Sequence, residues 1–115
     1  MPRYLIGDVD VNKLVEILNS KGFENIHLNR DRFDKFLIDI VSSRKKIVYL
    51  LKRFAFIDSR IIFFFFSQSQ KKQESSSISI EIDNTSKTID YIIEDFNEEI
   101  VSKIKEMIAQ CLNSL

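Results

Sequence analysis

The sequence is poor in the residues that tighten turns, cross-link a chain or activate a nucleophile. Its 115 residues include two glycines, one proline, one cysteine, one histidine and no tryptophan. Two glycines exclude a dinucleotide fingerprint and a phosphate-binding loop, because both need several backbone positions without a Cβ atom. The single cysteine, Cys111, excludes an intramolecular disulfide framework and is typical of a reducing compartment. The single histidine, His27, leaves no His/Cys set for a four-ligand zinc site.

Long apolar runs are also missing. The longest, residues 61–66, has six residues, whereas a helix that spans a bilayer needs about 20. The first five residues lack the apolar stretch of a signal peptide. We therefore expect a cytoplasmic protein that does not associate with a membrane.

The composition is that of a folded domain, with 44% hydrophobic and 30% charged residues. A chain of this length buries roughly two-thirds of its unfolded surface, so we expect a single domain over residues 1–115. The 17 basic and 17 acidic residues cancel, but unevenly along the chain. Residues 1–72 contain 14 Lys or Arg and 8 Asp or Glu, whereas residues 73–115 contain 3 and 9. The halves either neutralise each other or form a surface for a partner of opposite charge.

Apolar spacing predicts a helix at each end of the chain. Four residues before Gly22 lie at helical intervals: Val11, Leu14, Val15 and Leu18. Asp10 is a suitable N-cap and Gly22 a suitable left-handed C-terminal residue, so we predict a helix over residues 10–21. A second apolar stripe follows an Asn97 cap and comprises Ile100, Ile104, Met107, Ile108, Cys111 and Leu115.

Between the helices, apolar and polar residues alternate, which is typical of strands. Strands are predicted over 26–28, 36–41, 47–52, 60–67, 78–82 and 87–93, with turns at 42–45 and 83–86. Segment 47–52 also fits a helix, but three basic residues at its start would oppose the helix dipole, so we favour a strand. Residues 67–77 are polar and of low complexity, and a mobile loop is expected there. The predicted class is α+β: an N-terminal helix, a five- to six-stranded, mainly antiparallel sheet and a C-terminal amphipathic helix.

Residues 61–66 do not alternate, which places Ile62, Phe64 and Phe66 on one face and equally apolar residues on the other. Leu37 and Val41 likewise point away from their apolar neighbours. The sheet is therefore expected to be apolar on both faces. One helix on each face, a second copy of the chain, or an apolar ligand or partner segment would each cover it. We assign Ile62, Phe64 and Phe66 to a candidate apolar interface.

Basic residues form a second candidate site. A hairpin of strands 36–41 and 46–52 would bring five cations to one end of the sheet: Arg30, Arg32, Lys35, Lys52 and Arg53. Clustered cations near aromatic residues bind phosphates and stacked bases, whereas the alternative is ordinary surface pairing with nearby aspartates. The carboxylates between Asp90 and Glu99 are interpreted as helix capping and solvation, and the alternative is a site for a hard cation. No catalytic or metal-ligating set is assigned.

The order of helix 10–21, Gly22-Phe23, strand 36–41 and strand 47–52 resembles the core of restriction-endonuclease-like nucleases. In that family an Asp on one strand and an acidic-x-Lys motif on the next hold a divalent metal ion. Asp39 and Lys52 match, whereas Leu50 stands at the position of the second carboxylate. The resemblance implies a relative that binds nucleic acid without cutting it.

The sequence therefore favours a non-enzymatic protein-interaction module of the adaptor, chaperone or immunity type. We expect it to be a homodimer or to bind another protein, without a cofactor. The alternative is a nucleic-acid-associated protein that uses the five cations above, with an inactive restriction-endonuclease-like fold as one form of it.

Overall fold

The computed structural model describes residues 3–4, 7–32, 34–53, 60, 75–94, 96 and 98–115. In chain order the elements are β1 (Arg3–Tyr4), α1 (Val11–Lys21), β2 (Ile26–Arg32), β3 (Lys35–Ser43), α2 (Arg44–Arg53), β4 (Ser75–Asp83), β5 (Thr88–Ile93) and α3 (Glu98–Asn113). This arrangement confirms the α+β class, with a helix towards each end of the chain and an antiparallel sheet between them.

The sheet consists of four strands of six to nine residues in the order β5-β4-β3-β2, all antiparallel. The two-residue segment β1 pairs with the outer side of β5. The prediction of five to six strands was therefore too high. One predicted strand, 47–52, is a helix, and another, 60–67, lies almost wholly outside the described residues.

Helix α2 overturns both the strand prediction for 47–52 and the turn prediction for 42–45. β3 continues to Ser43, and the helix starts at the next residue. Its first turn does contain three cations, each costing about 0.3–1 kcal/mol against the dipole. Four side chains of the helix are buried in the core: Ile47, Val48, Leu50 and Leu51. Burial stabilises each by about 1.5–3 kcal/mol, which exceeds the dipole cost. The Ser43 hydroxyl also accepts the Lys46 N–H at 3.1 Å.

Helix α1 forms as predicted because both of its ends are capped. The Asp10 carboxylate accepts the Lys13 N–H at 3.2 Å. At the other end Gly22 adopts φ +111°, and Phe23 donates its N–H to the carbonyl of Leu18 at 3.1 Å. Phe23 is buried after this turn. The Gly22 conformation therefore directs the chain from α1 into β2.

The buried strand residues all lie on one face of the sheet. The register places them in line across β3, β4 and β5: Ile38, Ile40, Ser42, Ser76, Ile78, Ile80, Ile82 and Ile89. The buried side chains of α1, α2 and α3 belong to the same core cluster. The three helices therefore cover one face together. The arrangement with one helix on each face is wrong for the described helices.

Several predictions fall outside the described residues. These are the strand residues 61–66, with Ile62, Phe64 and Phe66, the loop residues 67–74 and the Asn97 cap. Residues 75–77, which the loop prediction included, form the start of β4 instead, paired with β3. Among the described residues, no helix has the length and apolar character required to cross a membrane.

The turn between β4 and β5 forms where it was predicted, and Asp83 holds it. Its carboxylate accepts the N–H groups of Thr85 at 2.9 Å and of Ser86 at 3.2 Å. The pKa of Asp83 lies below its ordinary value of 3.8. The largest cause is the hydrogen bond from the Ser86 N–H, and the Ser86 hydroxyl, the Thr85 N–H and the charge of Lys35 lower the pKa further.

We expect Asp83→Asn to destabilise the domain at neutral pH, because the neutral amide binds these N–H groups less strongly. A lowered pKa means that the ionised carboxylate stabilises the fold above pH 3.8. This contribution is lost as the pH falls through the folded-state pKa. Urea denaturation of both proteins from pH 7 downwards should show the difference shrinking in acid. A difference that does not depend on pH would contradict this role.

Candidate functional site

The face of the sheet opposite the helices, here called the open face, contains none of the buried residues. Its side chains lie on alternate positions of β2–β5, and every described one is exposed or half-buried. Val41 and Ile92 are the large aliphatic residues exposed here, at 43% and 46%. Leu37 and Val41 flank Asp39 along β3, and Ile92 lies opposite Ser79. Three aliphatic side chains therefore surround the Asp39–Ser79 pair.

Ser79, Asp39 and His27 occupy one row across β4, β3 and β2. The Ser79 hydroxyl donates to the Asp39 carboxylate at 2.6 Å. In a serine nucleophile the histidine lies between the hydroxyl and the carboxylate, but here the carboxylate is in the middle. The row consequently fixes two neighbouring strands and contains no nucleophile–base pair.

Charge is distributed unevenly over the open face. Glu81 of β4 lies directly opposite Asp90 of β5, a like-charge pair that opposes strand pairing. Lys35 and His27 lie on β3 and β2, on the other half of the face. The β4–β5 half is therefore acidic, with Glu81, Asp83 and Asp90, whereas on the β2–β3 half the charge of Lys35 is offset by Asp39. Within the described residues, no group of His, Cys, Asp and Glu is arranged to hold a metal ion.

The predicted hairpin of strands 36–41 and 46–52 does not form, so it does not bring the five predicted phosphate-binding cations to one end of the sheet. Arg30, Arg32 and Lys35 lie around the β2–β3 turn, where Arg32 pairs with Lys35 in the register. The Arg30 guanidinium carbon is 5.5 Å from the centre of the Phe36 ring. Lys52 and Arg53 lie in the last turn of α2 instead, since residues 47–52 do not form a strand.

Helix α2 brings a different set of cations together, which the strand prediction concealed. Arg44–Arg53 contains five Lys or Arg and no acidic residue. We call the exposed side of this helix the basic helix face, consisting of Lys45, Lys46, Tyr49, Lys52 and Arg53. Tyr49 is 54% exposed, and the Lys46 ammonium lies 5.6 Å from the centre of its ring. The spacing 45, 49, 52, 53 in the sequence is the helical signal that would have revealed this face.

The two reactive side chains predicted to be inert have the expected surroundings. His27 is exposed on edge strand β2. Cys111 is a free thiol, 2% exposed, in the core. Burial raises the pKa of this thiol, which disfavours the reactive thiolate.

The resemblance to restriction-endonuclease-like nucleases depends on Lys52 lying on a strand beside Asp39. Lys52 lies on a helix, and Asp39 hydrogen-bonds to Ser79. One of the two strands that hold the metal in that family is therefore missing from the described residues. No family model, curated protein or solved structure matches this chain.

Proposed function

We propose that this chain is a non-enzymatic protein-interaction module of the cytoplasm that forms a homodimer through the open face of its sheet. The observation that supports this most directly is the exposure of Val41 and Ile92 on a sheet face that no described helix covers. Exposed aliphatic side chains around a satisfied polar pair are typical of surfaces that bind protein. The free thiol of Cys111 is compatible with a reducing compartment.

The charge distribution of the open face fits a second copy of the chain as the partner in one orientation. A two-fold axis parallel to the strands would place β2 and β3 of one copy over β5 and β4 of the other. The acidic half with Glu81 and Asp90 would then meet the half with Lys35 and Asp39 instead of a second acidic surface. The opposite choice, an axis across the strands, would stack the acidic halves on each other.

The size of the open face predicts a weak dimer. Four strands, about 4.8 Å apart and roughly 20–30 Å long, present about 500 Å² per copy. A total of about 1,000 Å² lies below the usual range of stable complexes. We therefore expect the dimer to dissociate on dilution and at high salt, because salt screens the attraction of Lys35 for the acidic half of the other copy.

Size-exclusion chromatography with light scattering tests this proposal over a range of protein and salt concentrations. The wild-type chain should approach twice its mass of 13.5 kDa at high concentration and low salt. Ile92→Asp should give the monomer mass while keeping its circular dichroism spectrum, because the side chain is already exposed. Tyr49→Asp is the matched control: it places the same charge on an exposed residue of the helical layer and should remain dimeric.

Two results would overturn the proposal. One is a monomer mass at every concentration and salt. The other is a dimer that Ile92→Asp leaves intact, which would place the interface elsewhere.

A further inference from the structure

We propose that the basic helix face of α2 binds single-stranded nucleic acid, with its cations on the phosphates and Tyr49 stacked on a base. This site is independent of the proposed dimer. The apolar side of α2 packs against the core on the helical side of the sheet, so its exposed side points away from the open face.

The first support is the density and spacing of positive charge. Lys45, Tyr49, Lys52 and Arg53 follow helical intervals of four, seven and eight residues, which places them along one side. From Lys45 to Arg53 the helix rises about 12 Å. The cations at the two ends of this side are therefore far enough apart to contact separate phosphates of one strand. α2 itself contains no acidic residue, but Glu24, from outside the helix, forms an ion pair with Lys46 at 3.9 Å, so the proposal relies on Lys45 and Lys52 for the phosphate contacts.

The second support is the position of the cations relative to the helix dipole. Arg44, Lys45 and Lys46 occupy the first turn, where the dipole already favours anions and disfavours cations. The apolar residues of α2 explain why the helix forms, but they do not explain why its start is basic. A phosphate at this end would be favoured by the dipole and by the cations together.

The exposed ring of Tyr49 favours nucleic acid over other anionic partners. It is 54% exposed at the centre of the face, between the cations at the two ends of the helix. Aromatic side chains between cations stack on bases, and such stacking tolerates any sequence. A membrane surface is less suitable, because the apolar side of α2 is buried in the core and has nothing to insert.

The experiment measures fluorescence anisotropy of a labelled oligonucleotide of about 15 nucleotides, as DNA and as RNA, over a salt series. We expect binding that weakens steeply with salt. Lys45→Gln/Lys52→Gln should lower the slope of log affinity against log salt by about 1.4, since each phosphate contact on a single strand contributes about 0.7. Tyr49→Ser should weaken binding roughly fivefold or more with little change in slope, and Tyr49→Phe should restore it.

Lys13→Gln/Lys105→Gln is the matched control, because it removes two exposed lysines from α1 and α3. It should leave both affinity and slope close to wild type. The proposal would be overturned by no binding of DNA or RNA at low salt, by equal losses in the control and the α2 variants, or by an affinity that Tyr49→Ser does not change. Competition by polyglutamate as strong as that by the oligonucleotide would also overturn it, because an acidic protein would then suffice. Binding to anionic lipid vesicles without binding to the oligonucleotide would do the same.

Discussion

Ile80→Ala is expected to lower the free energy of unfolding by about 2–5 kcal/mol, the usual cost of emptying a fully buried aliphatic position. Ile80 is 0% exposed at the centre of β4, paired with Ile38 on one side and Tyr91 on the other. The total stability of a domain is about 5–15 kcal/mol, so this single change removes a large part of it. Urea denaturation followed by circular dichroism measures the loss.

Ile92→Ala is the matched comparison, since it deletes the same atoms from the open face of the neighbouring strand. It should change the stability of the monomer by no more than about 0.5 kcal/mol. Any larger effect should depend on protein concentration, because it would come from the dimer, whereas the effect of Ile80→Ala should not. Similar losses in both variants at high dilution would show that the sheet is covered on both faces, contrary to the structure.

Gly22→Ala is expected to destabilise the domain by about 2 kcal/mol or more, for two separable reasons. The φ of +111° at Gly22 is a conformation that a residue with a Cβ atom rarely adopts, and positive φ costs about 1–2 kcal/mol. An added Cβ would also lie 2.8 Å from Cδ2 of Leu50, a buried side chain of α2. Displacing that side chain adds an overpacking cost of about 1–3 kcal/mol, reduced to the extent that Leu50 changes rotamer.

The two causes can be measured separately by denaturation. Gly7→Ala is the control, because nothing lies within 4 Å of its added Cβ and its φ is not positive. Combining Gly22→Ala with Leu50→Ala removes the close contact, so the double variant should be more stable than the sum of the single losses predicts. Strict additivity would show that backbone strain alone matters. A Gly22→Ala protein as stable as wild type would contradict the C-terminal conformation described for α1.

The sequence was sufficient to predict those elements that are formed by contacts between residues close together in the chain. Asp10 and Gly22 cap α1 through groups within five residues, and Asp83 forms its turn through the next three. The strict alternation of isoleucine and polar residues in β4 likewise predicts one buried and one accessible face. These elements could be predicted because the contacts that form them are close in sequence.

Whether residues 44–53 form a strand or a helix depended on the balance between the dipole cost and core burial, which the local sequence does not show. The basic residues at the start of 44–53 do interact unfavourably with the helix dipole. This cost is smaller than the free energy gained by burying four side chains of the helix: Ile47, Val48, Leu50 and Leu51. Burial exists only because β3, α1 and α3 provide the surrounding core. The same error separated Lys52 and Arg53 from Lys45 and Lys46, and so the basic helix face was missed.

The amino-acid order by itself determined the α+β class, the capped first helix, the β4–β5 turn and the inert surroundings of His27 and Cys111, since these follow from composition, spacing and near neighbours. The tertiary structure alone decided that three helices share one side of the sheet, that Ser79 bonds to Asp39, and that Glu81 faces Asp90. The physical reason is strand register: residues 40 positions apart become neighbours only after the chain has paired, and a shift of one residue would turn each of them to the other side.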